Sequence, residues 1–455
     1  MPDSSQVKRA VGYRVARIAG IALLALWVAW WTASLLVGRL FFDGATWNGY
    51  PWPHLGLDFL HTWAAEHALA AGQNPYLMAL PDPLHRPYAY APVNLAFFLW
   101  TIPLVPAKAI ILWDVILAAI VVVAAHACLH VRRDLGLTPI PWAAGVAVPL
   151  WSFPVVFAME RGNTDLVVVL LILASVRLGK TPARWASLAA GAALGLAALF
   201  KLYAGLLLAA LLLARRRLAA VGLCAGIALL VLATFPWTVQ WLSRGLPAFF
   251  RWTGNGISAG RHTQLVTHVH SLSAGWDQLM AFTGTGALAG RFSLALATVV
   301  LLALLAWVGL AVGRADDARR REVELPFLLW TAALATFVPS NSYDYNLVFL
   351  PLAVLAVWDG RDGWLVQLAL LFGALVLQPF RLPLSGNVVL PLKLLVLLAV
   401  GRALVNRCVV TLPGETRAHL ANADRGLAER GAPDAGRDEG APGAVAAGRE
   451  AGPSE

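Results

Sequence analysis

The chain has 455 residues, of which 59% are hydrophobic and only 13% charged. Soluble domains carry about 25% charged residues, so a water-covered enzyme is excluded, and so is disorder outside the ends. The formal net charge is +10, but Lys and Arg gather at the ends of apolar runs, which is the pattern of membrane orientation and not of a nucleic-acid surface. Cys128, Cys224 and Cys408 lie far apart in or beside apolar stretches; they match no metal-ligand spacing and read as packing residues.

An apolar run of about 20 residues spans a bilayer. Such runs occur at Ile18–Phe42, Ala107–His130, Leu188–Ala214, Leu218–Pro236, Phe292–Val312, Leu325–Val338, Tyr345–Trp358, Trp364–Leu377 and Val388–Val405. Weaker or Pro-broken runs are Ala91–Val105, Trp142–Met159 and Thr164–Val176. The expectation is an all-α polytopic membrane protein of about twelve spans. The first run is too long for a signal-peptide core and is expected to stay as an anchor. Residues 1–17, with Lys8, Arg9, Arg14 and Arg17, form a cytoplasmic segment; 18–410 form the membrane domain. The Ala/Gly/Pro/Glu/Arg-rich segment 411–455 cannot bury enough surface to fold and reads as a disordered cytoplasmic tail.

Placing the N-terminus, Arg215–Arg217 and Arg319–Arg321 inside puts two long loops outside, Asp43–Ala89 and Thr238–Arg291, each expected to carry short interfacial helices. Strict alternation then also puts Arg132, Arg133, Lys180 and Arg184 outside, against the same rule. The stretch between Ala107 and Leu188 is therefore expected to hold a helix that crosses only halfway.

The first outer loop is rich in chemistry. Asp58 opens a helical pattern over Phe59–Ala71, with Leu60, Trp63 and Ala64 on one face and Glu66 and His67 on another. The pattern is too short and polar to span, so it should lie along the membrane surface. An Asp there can cap the helix and still face a cleft. Tyr88 and Tyr90 precede Pro92 where the chain re-enters the membrane, in an aromatic belt or facing substrate. Glu160-Arg161-Gly162-Asn163, with Asp165, reads as a polar turn with an internal salt bridge. Lys201 sits in the middle of the Leu188–Ala214 run, about 20 Å of helix from either end. That is costly without a partner or a water-filled cavity.

Downstream, Asn341–Asn346 packs Tyr343, Asp344 and Tyr345 into a short outer turn. Arg261, in the second outer loop, and Arg381, in the last outer turn, could each hold a phosphate by forked hydrogen bonds. His262, His268 and His270 have neither a carboxylate nor a Cys at ligand spacing, so no metal site is expected. Asp114 and Lys393 are lone charges inside apolar runs.

The order of these motifs resembles glycosyltransferase family 87: an early Asp58, Gly72-Gln73-Asn74-Pro75-Tyr76, the Tyr88–Pro92 re-entry, Gly162-Asn163, a Gly-rich run reaching Lys201, and the Tyr343–Asn346 turn. The chain departs from the family's habits in Arg161 before Gly162-Asn163, in Leu202 and Tyr203 after Lys201, and in the absence of His from the late turn. The resemblance implies a GT-C type bundle and a mannosyltransferase of the bacterial plasma membrane that uses a polyprenyl-phosphate sugar. It also implies Asp58 as catalytic base and, beyond it, Lys201 and the turn with Tyr343, Asp344 and Tyr345 around the substrates; Tyr88, Tyr90, Asn163, Arg261 and Arg381 are expected there on the chemistry and position of the residues themselves. The expected partners are that donor, a glycolipid or glycan acceptor and membrane lipids, with no cofactor and no nucleic acid. Residue chemistry agrees: polyprenyl phosphate is a good leaving group, so one base for the acceptor hydroxyl suffices for a single displacement. A secondary transporter or lipid-linked sugar flippase is the competing reading, and it would concentrate charge at the midplane.

Overall fold

The computed structural model describes residues 4–37, 55–81, 86–251, 289–338, 344–359 and 386–409. Tyr343, Arg261, Arg381, His262, His268, His270, the run Trp364–Leu377 and the segment 411–455 lie outside these residues. Asp344 and Tyr345 are described in backbone alone. The helices are α1 (Ser4–Val37), α2 (Leu57–Ala70), α3 (Pro92–Phe98), α4 (Pro106–Asp134), α5 (Trp142–Trp151), α6 (Phe153–Arg161), α7 (Asp165–Gly179), α8 (Arg184–Phe200), α9 (Leu207–Leu213), α10 (Arg217–Ala233), α11 (Phe235–Gln240), α12 (Ala289–Arg314), α13 (Asp317–Ala335), α14 (Phe349–Val357) and α15 (Gly386–Val409). Tight 3-10 turns at Leu202–Leu206 and Asp344–Val348 lead into α9 and α14. One isolated bridge, Ala79 to Pro87, is the only β pairing among the described residues.

Large apolar side chains lie exposed along α1, α4, α10 and α12, among them Ile18, Val115, Val221, Leu229, Leu232 and Val299. So much exposed apolar surface suits lipid and not water. Ala10–Leu36 and α4 are each long and apolar enough to cross a membrane, and the bent pairs α5–α6 (61°) and α10 with its continuation to Arg251 (93°) bring the total to four. The break between α5 and α6 falls at Ser152, flanked by Pro149 inside the first helix and Pro154 in the first turn of the second. The protein is a helical membrane protein.

Contacts among the ends show how the segments run. Arg132, near the end of α4, donates to the carbonyls of Leu355 and Trp358 at the end of α14. Arg407, near the end of α15, donates to Val357, and Arg319, at the start of α13, donates to the Arg407 carbonyl. Arg216, just before α10, pairs with Glu324 of α13 at 3.1 Å and donates to the carbonyl of Gly179, which ends α7. One end of the bundle therefore collects the basic residues. The opposite end collects Asp58 of α2, Arg161 ending α6, Asp165 opening α7, Lys201 ending α8 and Asn346 preceding α14.

Two features correct the spans expected from hydropathy. The run Ala91–Val105 is no crossing: α3 has seven residues, and Asn94 within it donates to the Leu199 carbonyl at 3.5 Å, at the Lys201 end. The run Leu188–Ala214, by contrast, is two passes. α8 stops at Phe200, Lys201 is extended (φ −142°, ψ 107°), and the chain turns back. The glycines prove the reversal. Gly222 abuts Leu188, Gly226 abuts Ala192, and Gly195 abuts Leu223 and Ile227. The register rises together, so α8 and α10 are parallel, and Leu202–Leu213 must carry the chain back between them. These glycines also let the two backbones approach closely, as small residues do in membrane helix pairs. With one crossing removed and one added, Arg132, Arg133, Lys180 and Arg184 join the other basic residues, and no half-crossing helix is needed between Ala107 and Leu188. Lys201 is then not a mid-membrane lysine but the point of a chain reversal. Shorter apolar helices, among them Arg184–Phe200, Leu202–Leu213 and Asn346–Val357, accompany the four candidate spans.

Candidate active site

The site is built on α2. Helix α2 starts at Leu57, capped by Gly56 in the left-handed region (φ +76°), with no side-chain cap. Asp58 is therefore not the N-cap. Its carboxylate turns away from its own helix and takes four hydrogen bonds. Arg86 Nη1 reaches Oδ1 at 2.9 Å and Arg161 Nη2 reaches Oδ1 at 3.0 Å. Arg161 Nε reaches Oδ2 at 3.3 Å and Asn163 Nδ2 reaches Oδ2 at 3.1 Å. Burial alone would raise the Asp58 carboxyl, but the guanidiniums of Arg161 and Arg86 beside it outweigh burial and hold it well below its ordinary 3.8. Arg86 also donates to the Leu57 carbonyl at 2.7 Å, which ties the loop after α2 to the start of that helix.

Gly162 sets this geometry. It ends α6 in the left-handed region (φ +63°), and its carbonyl accepts from Trp113 Nε1 at 2.9 Å. A Cβ there would stand 2.6 Å from Phe59 Cβ, on the helix that carries Asp58. Gly162→Ala is expected to cost about 1–3 kcal/mol through strain and collision and to lower activity by misplacing Arg161 and Asn163 together. Thermal unfolding and a turnover assay on the same preparation check both parts.

A second carboxylate lies beside the first. Asp165, fully buried, accepts from Tyr203 Oη at 2.5 Å and from Asn346 Nδ2 at 2.5 Å. Lys201 Nζ stands 3.4 Å from the same carboxylate and 5.5 Å over the ring of Tyr90. Asn163 links the two centres, since its Oδ1 accepts from the Asp165 amide at 3.0 Å. From the polar turn two pairs reach outward: Arg161 pairs with Asp58 and Asp165 with Lys201.

The structure thus brings together Asp58, Asn163, Lys201, Tyr90 and Tyr88, whose ring centroid lies 5.7 Å from that of Tyr90. It adds Arg86, Arg161, Asp165, Tyr203 and Asn346. Arg161, Asp165 and Asn346 stand out in the sequence as polar residues inside turns between apolar runs. Arg86 carries no such signal. The cluster contains three cations (Arg86, Arg161, Lys201) and two carboxylates (Asp58, Asp165), so it has one positive charge in surplus, which suits an anionic substrate. Asp114 and Lys393 are both buried.

A model of glycosyltransferase family 87 matches residues 88–340, more than half of the chain. The matched region includes Tyr88, Tyr90, Arg161, Asn163, Asp165, Lys201 and Tyr203; Asp58, Arg86 and Asn346 lie outside it. No curated protein and no solved structure matches the chain.

Proposed function

The chain belongs to glycosyltransferase family 87, and on that premise we propose that it moves a hexose, mannose by the family resemblance, from a polyprenyl-phosphate donor to a glycolipid or glycan acceptor. The site would face the outside of a bacterial plasma membrane, in a GT-C type bundle of about twelve spans. The observation that carries this reading is the cluster of two buried carboxylates and three cations at the end of the bundle opposite Arg132, Arg216, Arg319 and Arg407. Basic ends stay in the cytoplasm, so that cluster faces out, where nucleotide sugars are absent and a lipid must bring the sugar.

In the proposed reaction the acceptor hydroxyl oxygen attacks the anomeric carbon. The C1–O bond to phosphate breaks, the electron pair leaves with polyprenyl phosphate, and the configuration inverts. Asp58 takes the hydroxyl proton. Arg86, Arg161 and Lys201 receive the phosphate charge, in a buried site where such pairing is strongest. Phosphate oxygens and Asp58 compete for the same guanidiniums, so donor binding loosens their hold on Asp58 and raises its basicity where a proton must be taken. Tyr88, Tyr90 and the Tyr343–Asn346 turn line the sugar in this reading, and Arg261 and Arg381 add charge for the donor.

Purified protein in nanodiscs should transfer label from polyprenyl-phosphate-mannose and not from GDP-mannose. Transfer from the nucleotide sugar alone would refute the lipid-donor reading. Sidedness has its own test. Gln73, in the loop after α2, and Thr181, between α7 and α8, are both exposed. In a Cys-free background, cysteine at Gln73 should react with an impermeant maleimide in sealed spheroplasts, and cysteine at Thr181 only after lysis. The opposite labelling would put the site in the cytoplasm.

A further inference from the structure

The basic end of the bundle holds a cavity that the reaction above does not use. Helix α1 packs chiefly on α5. A Cβ on Gly20 would stand 2.3 Å from the Ala144 amide nitrogen, and further along Trp151 Nε1 donates to the Leu23 carbonyl at 2.9 Å. Beside the Gly20 contact lies a cavity of about 400 Å³, lined chiefly by Tyr13, Arg17, Ile21, Leu24, Trp142 and Ala143. That is the size of a small-molecule site, about 300–1,000 Å³. Trp142 opens α5 after the loop 135–141. In that loop the Thr138 carbonyl accepts from Arg132 Nε at 2.5 Å, and the Thr138 hydroxyl donates to Asp359, just past α14, at 2.8 Å. The cavity therefore sits at the end that collects Arg132, Arg319 and Arg407, far from Asp58.

Its walls are graded. On α1 the lining residues are Tyr13, Arg17, Ile21 and Leu24, spaced three and four apart and so on one face. The phenol and the guanidinium come first, where the basic segment ends. The aliphatic side chains follow, Ile21 about 12 Å of helix beyond Tyr13. On the α5 side Trp142 supplies an amphipathic ring of the kind that sits at a membrane interface. Tyr13, Ile21 and Trp142 are each about half exposed, so the cavity is open to a ligand from the membrane. No carboxylate lines it, and among the described residues no ion pair holds Arg17. A guanidinium at the mouth of an apolar slot between helices suits a lipid, whose phosphate meets the fork while its chains follow the apolar wall. An anionic headgroup fits best, because an ammonium would meet Arg17 with no carboxylate to receive it.

We propose that Arg17 and the cavity between α1 and α5 hold one anionic phospholipid by its phosphate and the first part of its chains, and that this lipid ties α1 to the bundle. The site stands apart from the transferase reading. Only the leaflet, the inner one, rests on the sidedness argued above.

The test titrates full-length protein in detergent with phosphatidylglycerol and phosphatidylethanolamine of the same chains. Native mass spectrometry reads the bound lipid, and thermal unfolding is followed alongside. The wild type should hold phosphatidylglycerol at least fivefold more tightly, and that lipid should raise its Tm. Arg17→Gln should bring the two lipids within twofold of each other and abolish the Tm gain. Ile21→Trp fills the cavity from an exposed position and should weaken phosphatidylglycerol at least fivefold with Arg17 in place. Arg14→Gln removes the same charge from a residue outside the cavity and should keep the preference within twofold of wild type. Should Arg17→Gln not fold, Ile21→Trp and Arg14→Gln still decide. No lipid preference in the wild type, full binding in Ile21→Trp, or equal losses in Arg14→Gln and Arg17→Gln overturns the inference, the last by reducing the site to a basic surface. Displacement of the lipid by an equal concentration of inorganic phosphate would make this a free-phosphate site and overturn the lipid assignment. Sugar transfer enters none of these readouts, so their failure leaves the transferase reading standing.

Discussion

Asp58→Asn is expected to lower transfer by about a thousandfold, the middle of the range for loss of a positioned general base. The same change should also destabilise the fold by about 3 kcal/mol, because it leaves two buried guanidiniums facing a neutral amide. An Asp acting as a mere cap would cost about 1 kcal/mol, and the geometry excludes that role. Turnover and thermal unfolding of the variant test both parts; near-normal turnover refutes the base assignment. The pH dependence follows from the depressed carboxyl. Such a group stabilises the fold fully above its unfolded value of 3.8 and loses that contribution as pH falls below it. In the free protein Asp58 should therefore stay ionised from pH 5 to 9, and stability should not change in that window on its account.

Lys201→Met is expected to weaken donor binding by about 10-fold or more, the loss of one charge-assisted contact. Asp165→Asn should do much the same, because Asp165 is what holds Lys201 in place. The two residues act as one unit, so the double variant should lose little more than either single one, with a coupling energy of about 1–3 kcal/mol. Binding of polyprenyl phosphate to the four proteins measures it. Strict additivity would mean that Lys201 reaches the donor, if at all, without Asp165.

The sequence showed the class of fold and much of the site, but not how the site is wired. Composition and run length are enough to reveal helices in a membrane, because lipid tolerates few other backbones. Hydropathy cannot see direction. It merged α8 with Leu202–Leu213 into one run, since an extended residue at Lys201 leaves no trace in an apolar average. It also counted Ala91–Val105 as a crossing, though α3 is a single short helix. These two errors offset each other in number but moved Arg132, Arg133, Lys180 and Arg184 to the wrong side. Asp58 and Lys201 stood out because each is expensive where it lies. Their partners did not. Arg86 sits in an unremarkable loop, and the Glu160–Asp165 segment read as a local polar turn, which does not record that Arg161 reaches Asp58 and Asp165 reaches Lys201. Glu66 was legible as a polar position on α2, but its burial follows from how α2 packs on α3, α4 and α6, which no local pattern records.

The central claim is that a lipid-linked sugar is transferred at the cluster around Asp58. Its most direct test is a side-by-side assay of wild type and Asp58→Asn in nanodiscs with radiolabelled polyprenyl-phosphate-mannose and cell-envelope lipids. The account predicts a labelled lipid product whose new bond is inverted relative to the donor, formed by the wild type and about a thousandfold more slowly by the variant. A product with retained configuration, or equal rates in the two proteins, would contradict it.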